Sequence, residues 1–262
     1  MIEDILGIYN RPEFYDVLFP RDYAAENDFL AACLARHGTA VERSFLELGC
    51  GPARNSRQFA ARGYRAVALD LNPRMLAYAQ GEAEREGVAL EPVEASLVDF
   101  DLRSPVALAA CLWDTICLVK SNEEMLTHLR AVARNLLPGG VYVIETTHPR
   151  FFSAGYCGDP IRARRGEVEV EVMWGRPDDP YDCIEQRYTA TIRTVVRRGG
   201  DVIAQSEETL IQRYFRVQEL RALVALSGVF AEPQFYGTNA LPFVPLRDTP
   251  ECNGMLMVLS RS

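Results

Sequence analysis

Two acidic residues flank a pair of glycines near the start of this chain, in the segments ELGCGPARN and RAVALDL. Glu47 precedes Gly49 and Gly51, and Asp70 follows at the end of the next strand-like segment. Glycine lets a ligand approach the backbone closely, and a carboxylate is able to accept hydrogen bonds from both hydroxyls of a ribose. This pattern predicts an adenosine-type ligand beyond the ends of two neighbouring strands.

Arg54 argues against a dinucleotide at this turn. A dinucleotide fingerprint has its third glycine at this position, where the helix packs closely around a pyrophosphate, and Arg is too large for that role. A nicotinamide-dependent oxidoreductase is therefore disfavoured. The alternative in which Gly49 and Gly51 only form a tight structural turn stays open.

The elements around these residues alternate between short apolar strands and amphipathic helices. The strands are predicted at FLELG, RAVALDL, ALEPVEA, VALAACLW and VYVIETT, and the helices between them include NSRQFAARG, PRMLAYAQGEAEREG and EEMLTHLRAVARNLLPGG. Such alternation is typical of right-handed βαβ units, so we predict an α/β fold whose parallel sheet is covered on both faces.

The pattern changes after Pro149. The segments VEVEVMW, IEQRYTATIRTVVRRGGDVIAQ and SEETLIQRYF alternate as strands do, and the sequence Arg198-Gly199-Gly200-Asp201 predicts a hairpin turn. We therefore expect a core of residues 1–149 and 216–262, with residues 150–215 as an antiparallel β insertion after the fifth strand. The insertion is expected to roof the acceptor pocket, and it is a candidate dimer element.

Composition excludes several classes of function. The 262 residues carry a formal net charge of -8, which gives no attraction to nucleic acid or to anionic membranes. The seven cysteines include no CxxC pair, and the three histidines lack metal-ligand spacing. The acidic N-terminus is unlike a signal peptide, and no apolar run is long enough to span a membrane. We expect a cytoplasmic protein with reduced thiols and no metal.

The segments ELGCGPARN, ALDLNPRML and LLPGGVYVIET resemble the three best-known motifs of class I S-adenosylmethionine-dependent methyltransferases. The resemblance is strong over roughly residues 40 to 150. It implies a Rossmann-like, seven-stranded, mostly parallel sheet with helices on both faces, and S-adenosylmethionine as the cofactor.

The resemblance also assigns roles to individual residues. Gly49, Cys50 and Gly51 would pass along the methionine part of the cofactor, and Glu47 would orient the loop or the cofactor's amino group. Asp70 would hold the ribose. The remaining cofactor contacts would come from side chains at the edge of the sheet that border the adenine: Leu71, Met75, Ser96, Leu97, Leu112 and Trp113.

A second, less specific likeness extends over most of the remaining chain. The segment FYDVLFPRDYAAENDFL, the insertion and the exit FRVQELRALVALSG resemble small-molecule N-methyltransferases that act on amino-deoxysugars or glycine. Tyr15 and Tyr23 would fold over the cofactor as a lid, with Tyr15 also a catalytic candidate, and Arg21 would pair with the methionine carboxylate. For both tyrosines, ordinary packing is the alternative.

Two positions depart from these families. Ser96 stands where such enzymes usually carry an Asp that accepts from the adenine amino group, and a hydroxyl is a weaker acceptor. Leu118 stands where the amino-sugar enzymes tend to have a histidine. The catalytic assignment of that subgroup is therefore not transferred to this chain.

His148 directly follows the fifth strand, at the edge where the acceptor is expected. Imidazole is a natural acceptor for the proton of an ammonium or hydroxyl group, so His148 is the candidate general base. The alternative is a structural histidine that bonds this loop. Methyl transfer itself depends mainly on positioning, because the sulfonium is strongly activated.

The sequence thus predicts an enzyme that moves a methyl group from S-adenosylmethionine to a small molecule. Nitrogen is the preferred acceptor atom. Transfer to oxygen is the nearest alternative. A protein that binds the cofactor without turnover is a second alternative. A homodimer is a candidate assembly, and the sequence leaves the oligomeric state open.

Overall fold

The computed structural model describes residues 3–4, 7–19, 21–151 and 159–261. The helices are α1 (Pro12–Leu18), α2 (Tyr23–His37), α3 (Arg54–Ala61), α4 (Pro73–Glu86), α5 (Asn122–Asn135) and α6 (Val217–Ser227). The strands are β1 (Glu3–Asp4), β2 (Ser44–Leu48), β3 (Arg65–Asp70), β4 (Glu91–Glu94), β5 (Val106–Cys111), β6 (Leu136–Thr146), β7 (Ile161–Arg165), β8 (Val168–Trp174), β9 (Tyr181–Asp182), β10 (Arg187–Arg198), β11 (Asp201–Arg213), β12 (Gln234–Tyr236) and β13 (Met255–Ser260). Short 3-10 turns lie at Ile8–Asn10, Thr115–Leu118 and Pro149–Phe151.

The chain divides into two compact units. The larger unit contains Asp22–Phe151 and Phe215–Ser262, and the smaller contains Met1–Arg21 and Phe152–Tyr214. The first 21 residues thus group with the insertion and not with the core to which the sequence analysis assigned them. The physical reason is the apolar face of α1, which packs in one buried cluster with β8 and β10. Periodicity reveals such a face but not its partner.

The larger unit is built on a seven-stranded sheet in the order β12-β13-β6-β5-β2-β3-β4. All strand pairs from β6 to β4 are parallel, whereas β13 runs antiparallel to β6. The predicted mostly parallel sheet is confirmed. The chain leaves β2 in one direction toward β3 and β4, and then returns to β5 and β6 on the other side. Such a reversal of strand order creates a crevice at the carboxyl ends of the strands, where ligands bind.

One element boundary differs from the prediction. The sequence pattern predicts LLPGG as the end of a helix. In the structure, α5 ends at Asn135 and β6 begins at Leu136. Pro138 lacks the N–H that a helix needs, and Gly139 has a φ of 72°. Leu136 instead pairs with Val106 of the neighbouring strand.

The smaller unit is an antiparallel sheet around the hairpin of β10 and β11, which the sequence predicted. Arg198 and Asp201 are paired across the turn, and Gly199 and Gly200 both have positive φ. One face of this sheet is buried, with Val170, Val172 and Ile192 fully inaccessible to solvent. Helix α1 covers this face.

We predict that Ile192→Ala lowers the free energy of unfolding by about 2–5 kcal/mol, because it leaves a cavity among fully buried side chains. Ile211→Ala is the matched control on β11, where the side chain is 43% exposed. The control should change stability by about 0.5 kcal/mol or less. Equal losses in the two variants, measured by denaturant unfolding, would contradict the assigned core.

Candidate active site

The glycine turn after β2 requires glycine at its first position. Gly49 has a φ of 62°, and a Cβ added there would lie 2.4 Å from Cγ2 of Thr115. Gly51 has a φ of 51°, and the Cys50 thiol between them is buried. At Gly49 the turn therefore approaches Thr115 so closely that even a methyl group would collide.

Glu47 connects the end of β2 to the start of α3, on the two sides of this turn. One of its carboxylate oxygens, Oε2, accepts hydrogen bonds from the backbone N–H of Ser56 at 2.8 Å and from its hydroxyl at 2.7 Å. Ser56 lies in the first turn of α3, so the acid bonds a backbone N–H at the start of that helix. Burial raises the pKa of Glu47 to about 7. Of the two predicted roles, orientation of the loop is the one for which the structure shows bonds.

Asp70 connects the ends of β2 and β3. Its Oδ2 accepts from the backbone N–H of Gly51 at 2.8 Å, and its Oδ1 accepts from that of Asn72 at 2.8 Å. A carboxylate has about four acceptor sites, so the group is able to accept from a ribose hydroxyl as well. Burial raises the pKa of Asp70, although these backbone bonds oppose the shift.

The adenine side of the crevice combines apolar and polar groups. Leu71 directly follows Asp70 and is 69% exposed, so its side chain is accessible to a ligand at this strand end. Ser96 and Leu97 lie close by, because Ala95 donates from its backbone N–H to the carbonyl oxygen of Asp70 at 3.2 Å. Met75 is only 2% exposed, so its contact with adenine stays a prediction.

These groups fit an S-adenosyl cofactor. A carboxylate next to an exposed leucine suits the ribose and the base, and a glycine turn suits the narrow methionine chain. The cofactor supplies an electrophilic methyl group on a sulfonium. The residues predicted to bind and orient it are Gly49, Cys50 and Gly51 along the methionine chain, Asp70 at the ribose, and Leu71 and Ser96 at the base; these roles stay predictions.

The end of β5 has an unusual backbone. Trp113 and Asp114 both adopt left-handed conformations, with φ of 56° and 58°. Such conformations cost free energy outside glycine and are often found at functional sites. The backbone N–H of Trp113 donates to Oε2 of Glu145 at 2.8 Å, and Leu112 before it is buried.

Asp114 is held by two threonines from β6 and the loop after it. Its Oδ1 accepts from the hydroxyl of Thr146 at 2.5 Å, and its Oδ2 accepts from the hydroxyl of Thr147 at 2.8 Å. Sequence reasoning did not identify these threonines or Glu145 as partners. The only sequence signal was their position at the carboxyl ends of adjacent parallel strands.

Tyr23 belongs to the larger unit and lies beside this strand end. Its ring is 6.5 Å from that of Trp113, measured between centroids, and the Arg54 guanidinium lies 5.2 Å from the Tyr23 ring centroid. The structure thus brings Tyr23 and Trp113 together. In the sequence, Arg54 served only as an argument against a dinucleotide. In the structure it also contributes a cation–π contact to Tyr23.

A buried polar network was not predicted from the sequence. Asn55 donates from its side-chain amide to Glu26 at 2.8 Å and to Asn27 at 2.9 Å, and Asn239 donates to the other Glu26 oxygen at 3.0 Å. It joins α2, the start of α3 and the loop before β13. Since these residues come from three distant segments, no local spacing could reveal them.

His148 is buried and engaged at both ring nitrogens. Its Nε2 donates to the carbonyl oxygen of Arg247 at 3.1 Å, and its Nδ1 accepts from Arg150 at 3.2 Å (backbone N) and 3.3 Å (Nε). Arg150 also bonds the carbonyl oxygens of Thr249 and Cys252. A ring held in this way has no lone pair for a substrate proton. The geometry supports the structural alternative for His148, and its role as a general base stays a prediction.

Tyr15 and Arg21 lie in the smaller unit. Tyr15 packs with Tyr9 and Phe19, at centroid distances of 5.5 Å and 5.1 Å. This contact places Tyr15 in the aromatic cluster of its own unit, as the packing alternative expected. The lid role of Tyr15 and the carboxylate role of Arg21 stay predictions.

Metal chemistry has no candidate ligand set among the described residues. No group of three or more His, Cys, Asp or Glu side chains converges in that part of the chain. The described cysteines are free thiols, and Cys157 lies outside the described residues. Among the helices described, none is long and apolar enough to cross a membrane.

Comparison with known proteins identifies the class. Residues 45–140 match a family described as "Methyltransferase domain". Cypemycin N-terminal methyltransferase of Streptomyces sp is 32% identical over 123 residues, which cover 47% of this chain and 49% of that protein. The chain thus matches only about half the length of this relative.

Two further proteins match over most of the chain. A dTDP-4-amino-2,3,4,6-tetradeoxy-D-glucose N,N-dimethyltransferase of Saccharopolyspora spinosa is 28% identical over 84% of this chain and 85% of its own. The solved structure of an S-adenosylmethionine-bound amino pentose methyltransferase from Micromonospora echinaspora has a TM-score of 0.69 at 22% identity, covering 98% of both chains. At this identity the structural likeness establishes the fold.

The chain therefore contains a methyltransferase domain, and the protein is an S-adenosylmethionine-dependent methyltransferase. The predicted class and cofactor are confirmed.

We predict that Asp70→Ala weakens S-adenosylmethionine binding by about 1.5–3 kcal/mol, because it removes a charged acceptor and releases the glycine turn. Asp70→Asn, which keeps one acceptor oxygen, should lose less. Calorimetric titration of folded variants provides the measurement. Unchanged affinity in Asp70→Ala would place the cofactor elsewhere.

For His148→Ala we expect a loss of stability of about 1–3 kcal/mol, because the carbonyl of Arg247 and the donors of Arg150 lose their partner. The pH dependence of turnover should keep the ionisations of the wild type. A general base would behave differently: its removal would lower turnover about 100-fold to 10,000-fold and remove an ionisation from the profile. A pH–rate comparison at saturating cofactor separates the two roles.

Proposed function

We propose that this enzyme methylates the nitrogen of a small-molecule amine, and that amino-sugars are its first candidate acceptors. The observation that carries the proposal is the pair of carboxylates, Asp114 and Glu145, beside the predicted cofactor groove. They lie at the carboxyl ends of β5 and β6, and β5 is the neighbour of β2, whose carboxyl end carries Gly49.

Acidic groups at this position favour an acceptor that carries positive charge. An ammonium group is attracted by nearby carboxylates, and the attraction is stronger where water is partly excluded. An alcohol gains much less from such groups. This difference supports nitrogen over oxygen as the methylated atom.

The names of the relatives agree with this choice. The Saccharopolyspora protein and the Micromonospora protein are described as acting on amino-sugars, and the Streptomyces protein is described as an N-terminal methyltransferase. The names of the Saccharopolyspora and Streptomyces proteins specify a nitrogen acceptor. Their substrates are otherwise different, so a panel of amines is the appropriate probe.

The proposal includes a cytoplasmic homodimer that acts without nucleic acid. The net charge of -8 supports the absence of a nucleic-acid substrate. Roofing of the acceptor and dimerisation by the antiparallel unit stay predictions, and light scattering on the purified chain tests the oligomeric state.

We expect the purified protein to methylate at least one amine when incubated with S-adenosylmethionine and a panel of dTDP-amino-sugars, peptides with a free N-terminus and matched hydroxy-sugars. Mass spectrometry should show the gain of one or two methyl groups on nitrogen, together with S-adenosylhomocysteine. Methylation confined to the hydroxy-sugars would favour the oxygen alternative. Cofactor binding without any product would favour a non-catalytic binding protein.

A further inference from the structure

A line of hydrogen-bonded side chains crosses the core of the larger unit behind the predicted adenine site. Nδ1 of His128 lies 2.6 Å from the carbonyl oxygen of Leu97, and its Nε2 lies 2.7 Å from the hydroxyl of Tyr142. The side chains of His128 and Tyr142 are fully buried.

The direction of every proton in this line follows from chemistry. A carbonyl oxygen only accepts, so Nδ1 of His128 carries the proton and donates to Leu97. Burial lowers the pKa of His128 to about 4, so the ring is neutral near pH 7 and its Nε2 accepts from Tyr142. The tautomer of His128 is thereby fixed.

The line of hydrogen bonds ends at the turn of Ser96 and Leu97, which is predicted to border adenine. Leu97 follows Ser96, and Ala95 is bonded to the backbone of Asp70. The Ser96 hydroxyl accepts from the backbone N–H of Val98 at 3.1 Å, so the turn carries its own bond as well. On the core side, the Leu97 carbonyl joins this turn to His128 by a hydrogen bond.

The outer half of the same loop is held separately. Asn135 donates to the carbonyl oxygen of Phe100 and accepts from the N–H of Leu102, at 2.9 Å and 2.8 Å. The exposed Arg134 bonds the side chains of Asp99 and Asp101. These residues belong to α5, as His128 does, but they act on the part of the loop that is farther along the chain.

We propose that His128 is a positioning residue for adenine recognition, which fixes Ser96 and Leu97 at the base through the Leu97 carbonyl. The residue touches no reacting atom. Its function is to make the enzyme select a 6-amino purine despite the absence of the usual acidic residue at position 96. The inference rests on the assigned cofactor and is independent of the acceptor.

Two ligands that differ only at the purine 6-position test this role. S-adenosylhomocysteine carries the amino group, and S-inosylhomocysteine carries an oxo group instead. We expect the wild type to bind the former more tightly. His128→Leu should lower this discrimination ratio about tenfold, the scale of one lost hydrogen bond, whereas general destabilisation would weaken both ligands equally.

Matched variants make the test specific. His128→Asn keeps an N–H donor near the Nδ1 position and should preserve most of the discrimination. Tyr142→Phe should lower it partly, because Nε2 of His128 loses its hydrogen-bond partner and the ring is held at one nitrogen only. Ser96→Ala should lower it directly, and Arg134→Ala, which acts only on the outer half of the loop, should leave it within about twofold.

The proposal is overturned if His128→Leu and His128→Asn show the wild-type ratio. If His128→Leu does not fold, Tyr142→Phe against Arg134→Ala decides in the same way, since only the former should change the ratio. A wild type that binds both ligands equally also overturns it. A wild type that binds neither ligand overturns the cofactor assignment itself and the inference with it.

Discussion

The carboxylate of Asp70 is the interaction on which the predicted cofactor site depends. It accepts from the backbone of Gly51 and from that of Asn72, and so joins the turn after one strand to the start of the next helix. Both bonds use N–H groups that would otherwise be unsatisfied in a partly buried loop. Because the acid is part of the turn, the group expected to bind the ribose also holds the glycines in place.

Buried ionisable groups support this arrangement from within the protein. Glu47 bonds a backbone N–H at the start of α3, and burial raises its pKa to about 7. His128 is neutral in the core, and burial lowers its pKa to about 4. The two pKa shifts change stability in opposite directions. The raised pKa of Glu47 lowers the free energy of unfolding as the pH rises from about 4.5 to 7. The lowered pKa of His128 lowers the free energy of unfolding as the pH falls from about 6.5 to 4. Near-cancellation between them follows over the range that they share.

The acceptor side is organised by a different principle. Two consecutive residues at the end of β5 adopt left-handed conformations, and their strain is balanced by bonds to Glu145, Thr146 and Thr147 of the adjacent strand end. Beyond that strand, His148 and Arg150 fix the long loop that precedes β13. A histidine at a strand end is therefore not evidence of a base by itself, because its hydrogen-bond partners decide whether a lone pair remains.

The sequence by itself determined the alternation of strands and helices, the glycine turn and the paired acid. Each of these depends on local spacing, since strand length, helix period and backbone freedom at glycine are properties of neighbouring residues. The class of enzyme was predicted from the resemblance of three motifs to a known family. Only the tertiary structure decided the partners of His148 and His128, the network around Glu26, and the grouping of the first 21 residues with the insertion. These contacts join segments far apart in the chain, and the pairing of distant segments is set by packing of the whole core, which no short sequence pattern encodes.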